Sequence, residues 1–536
     1  MSLKRFFYHL AVVASRVNAF FSRTNHLHTA RFAYLHERDH LLHPTIEKLG
    51  TSLLLGRSSY NRIAAVRPTK ERPELGNLLI CAPPRSGKSM LAVSQLLTWP
   101  HSAIVNDMPK GELFAKTAGY RATLGPVYVI NPVAGVGHRY DPFTGLYSER
   151  ALGTLAHHLL FDPQDHDPIF FKRAKKMLTQ MCRAARVENE REGKERYRIL
   201  PYVGNLLTTK GFQGTAEYLH RLHPELATKF LAEEFAKAQF DDRFLLSCWG
   251  TLDTLLWPLL TDDVIRCFSG SDFTIEKFMT GTRPSTIYVQ LPESELRALA
   301  PFIRLLFGSF IDGLTATYDE SVKNGTQEAC RPVLILADEA GRSAIPQLAD
   351  ASQTVLGRRI YLWIAVQSLS SLEVVYGRGL AQILKDSVET QLYFRPDDLP
   401  TAEFLERRFG RHSRFATSQT RYAGKEGSEG FSEQGIPVMT AQEIMRASAR
   451  TVFALHRDNW PMILSRLEYY RDPLLARRAA IPPPTLPRLP EPDDSDPHNG
   501  GNHHQSESRQ DATYGSTLWQ RNRRWPNGYI DPDKRY

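Results

Sequence analysis

Ten residues constrain this chain more than any others: Cys81-Ala82-Pro83-Pro84-Arg85-Ser86-Gly87-Lys88-Ser89-Met90. They follow the apolar run Leu78-Leu79-Ile80 and precede a helix-compatible stretch from Leu91 to Leu97, so the order is strand, loop, helix. A loop of small residues in that setting presents successive backbone N–H groups, and the following helix N-terminus adds its dipole; together they cradle a polyphosphate. Ala82, Pro83, Pro84, Arg85, Ser86, Gly87, Lys88, Ser89 and Met90 are therefore the candidate nucleotide-binding loop. Within it Lys88 is expected to reach the β- and γ-phosphates of ATP, and Ser89 to hold Mg²⁺. The loop opens with Ala82 where glycine is usual, and alanine serves there if φ stays negative.

Such a loop needs a carboxylate-bearing strand beside it. Val333-Leu334-Ile335-Leu336-Ala337 runs apolar into Asp338-Glu339, as expected of a strand buried on both faces whose carboxyl end carries the functional groups. Asp338 is the candidate second Mg²⁺ residue, and Glu339 the group that polarises the attacking water. A third run, Ile360 to Val366, ends at Gln367, an amide where it can report the γ-phosphate. Arg358 and Arg359 precede that strand and so sit at its amino end, away from their own subunit's phosphates. They serve either as ordinary surface residues or as a finger inserted into a neighbouring subunit.

Lys88 and Asp338 are 250 positions apart, which implies an insertion. Apolar runs at Ser102–Val105, Val127–Ile130 and Thr286–Leu291 read as further strands, but from about Ser148 to Thr280 the period is helical. Phe170, Ala174, Met177, Leu178, Met181 and Ala185 share one helical face, with Lys172, Arg173, Lys175 and Lys176 largely on the other. The expected architecture is a largely parallel α/β sheet flanked by helices, with an all-α domain inserted. Its boundaries are a lead-in over 1–50, nucleotide-binding parts at 51–147 and 281–480, the helical domain at 148–280, and a Pro-rich disordered tail at 481–536. Residues 411–435, rich in Gly, Ser and Thr, read as a mobile loop or extended hairpin.

A chain of 536 residues exceeds one usual core, and the five scattered cysteines show neither metal-ligand spacing nor a disulfide framework. The formal charge of +9 suits a polyanionic partner such as DNA, or simply solubility. No stretch reaches the length of a membrane-spanning helix, so a cytoplasmic protein is expected. Near the start, Leu3, Phe6, Phe7, Leu10, Val13, Ala14, Val17, Phe20 and Phe21 share a helical face flanked by basic residues. That face fits an anionic membrane surface or the protein's own core.

Taken together the residues resemble the type IV secretion coupling proteins, the TraG-like ATPases of conjugative DNA transfer. The resemblance rests on Thr29-Ala30-Arg31-Phe32-Ala33, the phosphate loop, Asn106-Asp107 leading to Lys110-Gly111-Glu112, Tyr140-Asp141-Pro142, Tyr288-Val289-Gln290-Leu291-Pro292 and Asp338-Glu339. It continues through Gln367-Ser368-Leu369 with Tyr376-Gly377 and ends at Tyr469-Tyr470-Arg471-Asp472-Pro473. Two departures stand out: Met108-Pro109 lengthens the Asp-Lys-Gly-Glu segment by one residue, and the family's paired N-terminal transmembrane helices are absent from this sequence. The resemblance implies a RecA-like, ring-forming motor, hexameric when active, using ATP and Mg²⁺. Its implied partners are single-stranded DNA with its relaxase and the inner-membrane components of the secretion channel, which would place it peripherally at the cytoplasmic face of the inner membrane. A coupling ATPase for secreted proteins and a nucleotide-binding adaptor without turnover remain alternatives.

Overall fold

The structure, a computed structural model, describes residues 28–490 except 161–167, 194–196, 232–241, 342–344, 423–424 and 458, together with Leu10, Ala11, Val13 and Ala14. The amphipathic stretch expected at the N-terminus therefore lies outside the described residues except for those four, and the tail beyond 490 lies outside them altogether.

Fourteen strands run through the described residues: β1 (Leu42–His43), β2 (Leu53–Arg57), β3 (Ile63–Val66), β4 (Leu78–Cys81), β5 (Ser102–Asn106), β6 (Val127–Ile130), β7 (Thr286–Val289), β8 (Val333–Ala337), β9 (Ile360–Val366), β10 (Thr390–Phe394), β11 (Arg411–Tyr422), β12 (Lys425–Pro437), β13 (Thr451–His456) and β14 (Met462–Ser465). Twelve form one sheet in the order β1-β3-β2-β14-β13-β10-β4-β9-β8-β5-β7-β6. From β10 to β6 neighbouring strands are parallel. From β10 outward through β13, β14, β2, β3 and β1 they are antiparallel.

The parallel strands are apolar throughout because helices cover both of their faces. In β8 all five residues are buried, and alternate side chains enter different cores. Val333, Ile335 and Ala337 face one, Leu334 and Leu336 the other. Helices Lys88–Thr98, Glu112–Leu124 and Pro473–Ala479 lie against the second core. The first is shared with Ala300–Lys323, Leu369–Ser387 and the helical insertion.

Between Glu149 and Thr280 the described residues form helices and no strand. In helix Pro168–Glu192 Ala174, Met177, Leu178, Met181 and Ala185 are buried, with Phe170 packed beside them. One residue of its expected charged face is misplaced: Arg173 is buried and donates to the Phe230 carbonyl, which pulls it off the solvent side.

Two boundaries also shift. The sheet begins inside the expected lead-in, since β1 pairs with β3 through Leu42↔Ala64 and His43↔Ile63. Residues 481–489, expected to start the disordered tail, run back over the core: Leu489 is buried and its N–H bonds the Gly135 carbonyl at 3.1 Å. The Ile481 carbonyl lies so close to Gly119 that a side chain there would collide with it. β11 and β12 pair antiparallel, and the Ala30 N–H bonds the Arg411 carbonyl at the base of the pair.

Asn77 fixes the register of the strands that carry the candidate site. Fully buried just before β4, it donates from Nδ2 to the Ser352 carbonyl and accepts at Oδ1 from the Leu362 N–H of β9, both at 3.0 Å. Asn77→Leu leaves two buried backbone groups unpaired, so it should cost about 2–4 kcal/mol and lower the urea midpoint, measurable by far-UV circular dichroism.

Candidate nucleotide site

The strand order decides which residues meet. β9 lies between β4 and β8, so the loop after β4, the acids after β8 and the amide after β9 emerge side by side at the carboxyl edge of the sheet. The phosphate loop leaves β4 with the Ala82 N–H bonded to the Val366 carbonyl at 2.9 Å, and it turns through a Ser86 N–H to Pro83 carbonyl bond at 3.2 Å. Arg85 has φ +62° and Gly87 has φ +105°, after which the chain enters helix Lys88–Thr98. Glycine is required at position 87 for that φ and because a Cβ there would lie 3.1 Å from Arg466 Cδ.

Lys88 is 7% exposed. Its Nζ donates to Glu339 Oε1 at 2.6 Å and sits 3.0 Å from Asp338 Oδ1. Gln367 Nε2 holds the other oxygen of the same glutamate, Oε2, at 2.8 Å. Glu339 has φ +60°, an uncommon backbone conformation for a side-chain-bearing residue, and it turns the chain straight after β8. Four of the residues expected to act together are thus joined in one charged network. Burial pushes the Asp338 carboxyl up, the Lys88 ammonium opposes that, and the Glu339 carboxylate adds to it.

The network opens into a cavity of about 550 Å³ lined by Ala82, Pro83, Pro84, Arg85, Gly87, Lys88, Ser89 and Met90, and by Asp338, Glu339 and Gln367. Its donors fit a nucleotide with a divalent cation. Ser86 Oγ is buried without a hydrogen bond, and Asp338 Oδ1 is buried with only its ion pair to Lys88. Ser89 and Asp338 are the residues that would hold Mg²⁺, and the loop's N–H groups those that would hold phosphate.

Arg358 and Arg359 do not line this cavity. Arg358 Nε pairs with Asp319 at 2.7 Å, while Arg359 donates to the Cys330 carbonyl at 3.0 Å and pairs with the Glu328 carboxylate.

Two groups of residues that the sequence offered only as marks of the family resemblance also line the cavity. Asp107, at the end of β5, lines the cavity and accepts from the Leu113 N–H, the Phe114 N–H and Gln290 Nε2 at 2.8–2.9 Å; burial pushes its carboxyl up to about 6. Tyr469 and Tyr470, after β14, also line it. Their signal was the charged run around them, Arg466-Leu467-Glu468 and Arg471-Asp472, interrupting an otherwise apolar end of the core. Tyr376 and Gly377 lie outside the cavity. Gly377 has φ +75° inside helix Leu369–Ser387, and the buried Tyr376 hydroxyl accepts from the Ile345 N–H, tying that kink to the segment after Glu339.

A largely parallel α/β sheet with a phosphate loop on one strand, an Asp-Glu pair on another and an amide between them defines a P-loop NTPase-like core. The profile of the family described as type IV secretory system conjugative DNA transfer matches residues 64–492, and the chain belongs to that family. The conjugal transfer protein TraG of Escherichia coli is 25% identical over 454 residues, 76% of this chain and 70% of that protein. The protein VirD4 of Rhizobium radiobacter is 24% identical over 497 residues, 87% of this chain and 67% of that protein. Among solved structures, the unbound bacterial conjugative coupling protein TrwBdeltaN70 matches with a TM-score of 0.59 at 15% identity, covering 82% of this chain and 93% of that one. The plasmid coupling protein TrwB in complex with ADP and Mg²⁺ gives 0.55 at 16% identity, covering 73% and 85%. Among the described residues of this chain, no helix is long and apolar enough to cross a membrane.

Lys88→Met removes the ammonium that pairs with both Asp338 and Glu339. The variant without nucleotide should lose about 3 kcal/mol of stability at pH 8. A carboxyl whose folded pKa is raised favours the folded state at low pH and loses that advantage as pH rises through the folded value. The deficit should therefore narrow as pH falls from 8 toward 5, which urea melts of both proteins at each pH will read.

Proposed function

We propose that this protein is an ATP-driven coupling ATPase that recruits relaxase-bound single-stranded DNA and translocates it to a type IV secretion channel. The observation that carries the reading is the Lys88–Glu339–Gln367 network beside a phosphate loop, in a chain that belongs to the conjugative DNA transfer family. The complex of TrwB with ADP and Mg²⁺ supports the ligand assignment.

In this proposal the loop N–H groups bind the phosphates, and Lys88 leaves its carboxylate partners to neutralise them. Ser89 and Asp338 hold Mg²⁺, which supplies further neutralisation of phosphate charge. Glu339, released by Lys88, orients and polarises the attacking water, while Gln367 keeps its bond to Glu339 and carries the change into β9. Arg358, and Arg359 beside it, act only toward a neighbouring subunit of a homo-oligomeric ring, hexameric when active. The ring works at the cytoplasmic face of the inner membrane, peripherally, beside the inner-membrane components of the channel. DNA contacts are to phosphate and weaken with salt.

ATP hydrolysis with and without single-stranded DNA tests this. Wild type should turn over and be stimulated by DNA, and Lys88→Ala should abolish both. Glu339→Gln should lower kcat by roughly 10²–10³-fold while retaining ATP binding, as expected when a general base is lost. Turnover that depends on Lys88 and ignores DNA would point to secreted proteins as cargo. ATP binding without turnover would point to an adaptor.

A further inference from the structure

The phosphate loop and its carboxylates explain one part of the cavity and leave two aromatic rings unexplained. Tyr469 is half-buried against the core, Tyr470 is 50% exposed, and their rings meet edge to face at 5.6 Å and 81°. Both line the same cavity as Lys88 and Ser89.

The short turn that carries them is fixed on both sides. Before it, the Glu468 side chain is 1% exposed and takes three guanidinium groups: Arg466 Nε at 2.9 Å on Oε1, with Arg450 Nη2 at 2.9 Å and Arg471 Nε at 2.5 Å on Oε2. Arg466 reaches on from there and donates from Nη1 to the Ser86 carbonyl at 3.1 Å, so the residue that locks Glu468 also grips the phosphate loop. After the turn, Asp472 accepts from the Leu474 and Leu475 N–H groups and pairs with Arg57 at 3.1 Å. A solvent-facing ring on a turn clamped to a phosphate-binding loop is preorganised for a planar aromatic ligand whose phosphates that loop holds.

We propose that Tyr470, braced by Tyr469 and registered to the phosphate loop through Glu468 and Arg466, is the wall on which the nucleotide base stacks. The ligand class is a nucleoside polyphosphate, its base held by its π-face. Glu468 and Arg466 are positioning residues that touch the loop and the turn. This inference rests on the nucleotide reading of the site given above.

The test compares two probes on the full chain with Mg²⁺: ADP, which carries a base, and inorganic tripolyphosphate, which does not. Tyr470→Ala should weaken ADP binding about tenfold, the scale of one base-aromatic stack, and leave tripolyphosphate binding within about twofold of wild type. Tyr470→Phe keeps the π-face and should restore ADP binding. Because Tyr470 is exposed, these variants do not disturb the core. Equal ADP affinity in Tyr470→Ala and wild type, or an equal loss for both probes, overturns the stacking role and leaves the nucleotide site standing. A wild-type protein that binds neither probe overturns the nucleotide reading itself, and the stacking role with it.

Discussion

The contact of one ammonium, Lys88, with two carboxylates, Asp338 and Glu339, is the interaction around which this molecule is arranged. It joins the helix after β4 to the end of β8 across β9. A polyphosphate entering the loop would compete for Lys88, and a divalent cation beside the buried Asp338 would replace the positive charge that this carboxylate gives up. Nucleotide and metal would thereby be coupled by electrostatics in the proposed site.

The large helical insertion leaves this arrangement intact because of where it enters and leaves. It departs after β6 and returns before β7, neighbouring parallel strands with Val127 opposite Thr286 and Ile130 opposite Val289. The sheet therefore needs no rearrangement to accommodate it. It is still tied to the site: His158, buried on helix Glu149–Leu159, bonds Asp312 through Nε2 at 2.7 Å and Gln347 through Nδ1 at 2.8 Å. Gln347 opens the helix that follows Glu339, so the insertion touches the segment downstream of the acids.

What the sequence makes legible is local. The candidate phosphate loop, the uninterrupted apolar strands and the helical period between Ser148 and Thr280 each follow from residues close together in the chain. Pairings across hundreds of residues leave no periodic trace. Arg466 meets Ser86 across 380 positions, and Asn77 meets Leu362 across 285. The antiparallel strands β2 and β3 leave no trace for a related reason: Leu53-Leu54-Leu55 and Ile63-Ala64-Ala65-Val66 are too short to declare a period and take their form from β14, β1 and each other. Arg173 misled because helical phase predicts which face a residue occupies, whereas a carbonyl offered by a neighbouring helix decides whether a guanidinium is worth burying.

β9 gives the proposed mechanism its direction. One end of the strand continues into Gln367, bonded to Glu339, and the other begins beside Arg358 and Arg359. Seven residues at roughly 3.3 Å each separate these ends by about 23 Å, beyond the reach of an arginine side chain. These arginines therefore cannot serve the phosphates of their own chain, and if they stabilise a transition state it is one held by a second copy. Within one chain Arg358 is held by Asp319, on a helix that also carries Asp312, the partner of His158. In the proposed mechanism this buried strand, with Gln367 at one end and the arginines at the other, would transmit a change at Glu339 as a displacement, because its close-packed neighbours leave it no room to bend. In a ring of such chains, the state of one site would set the arginine offered to the next.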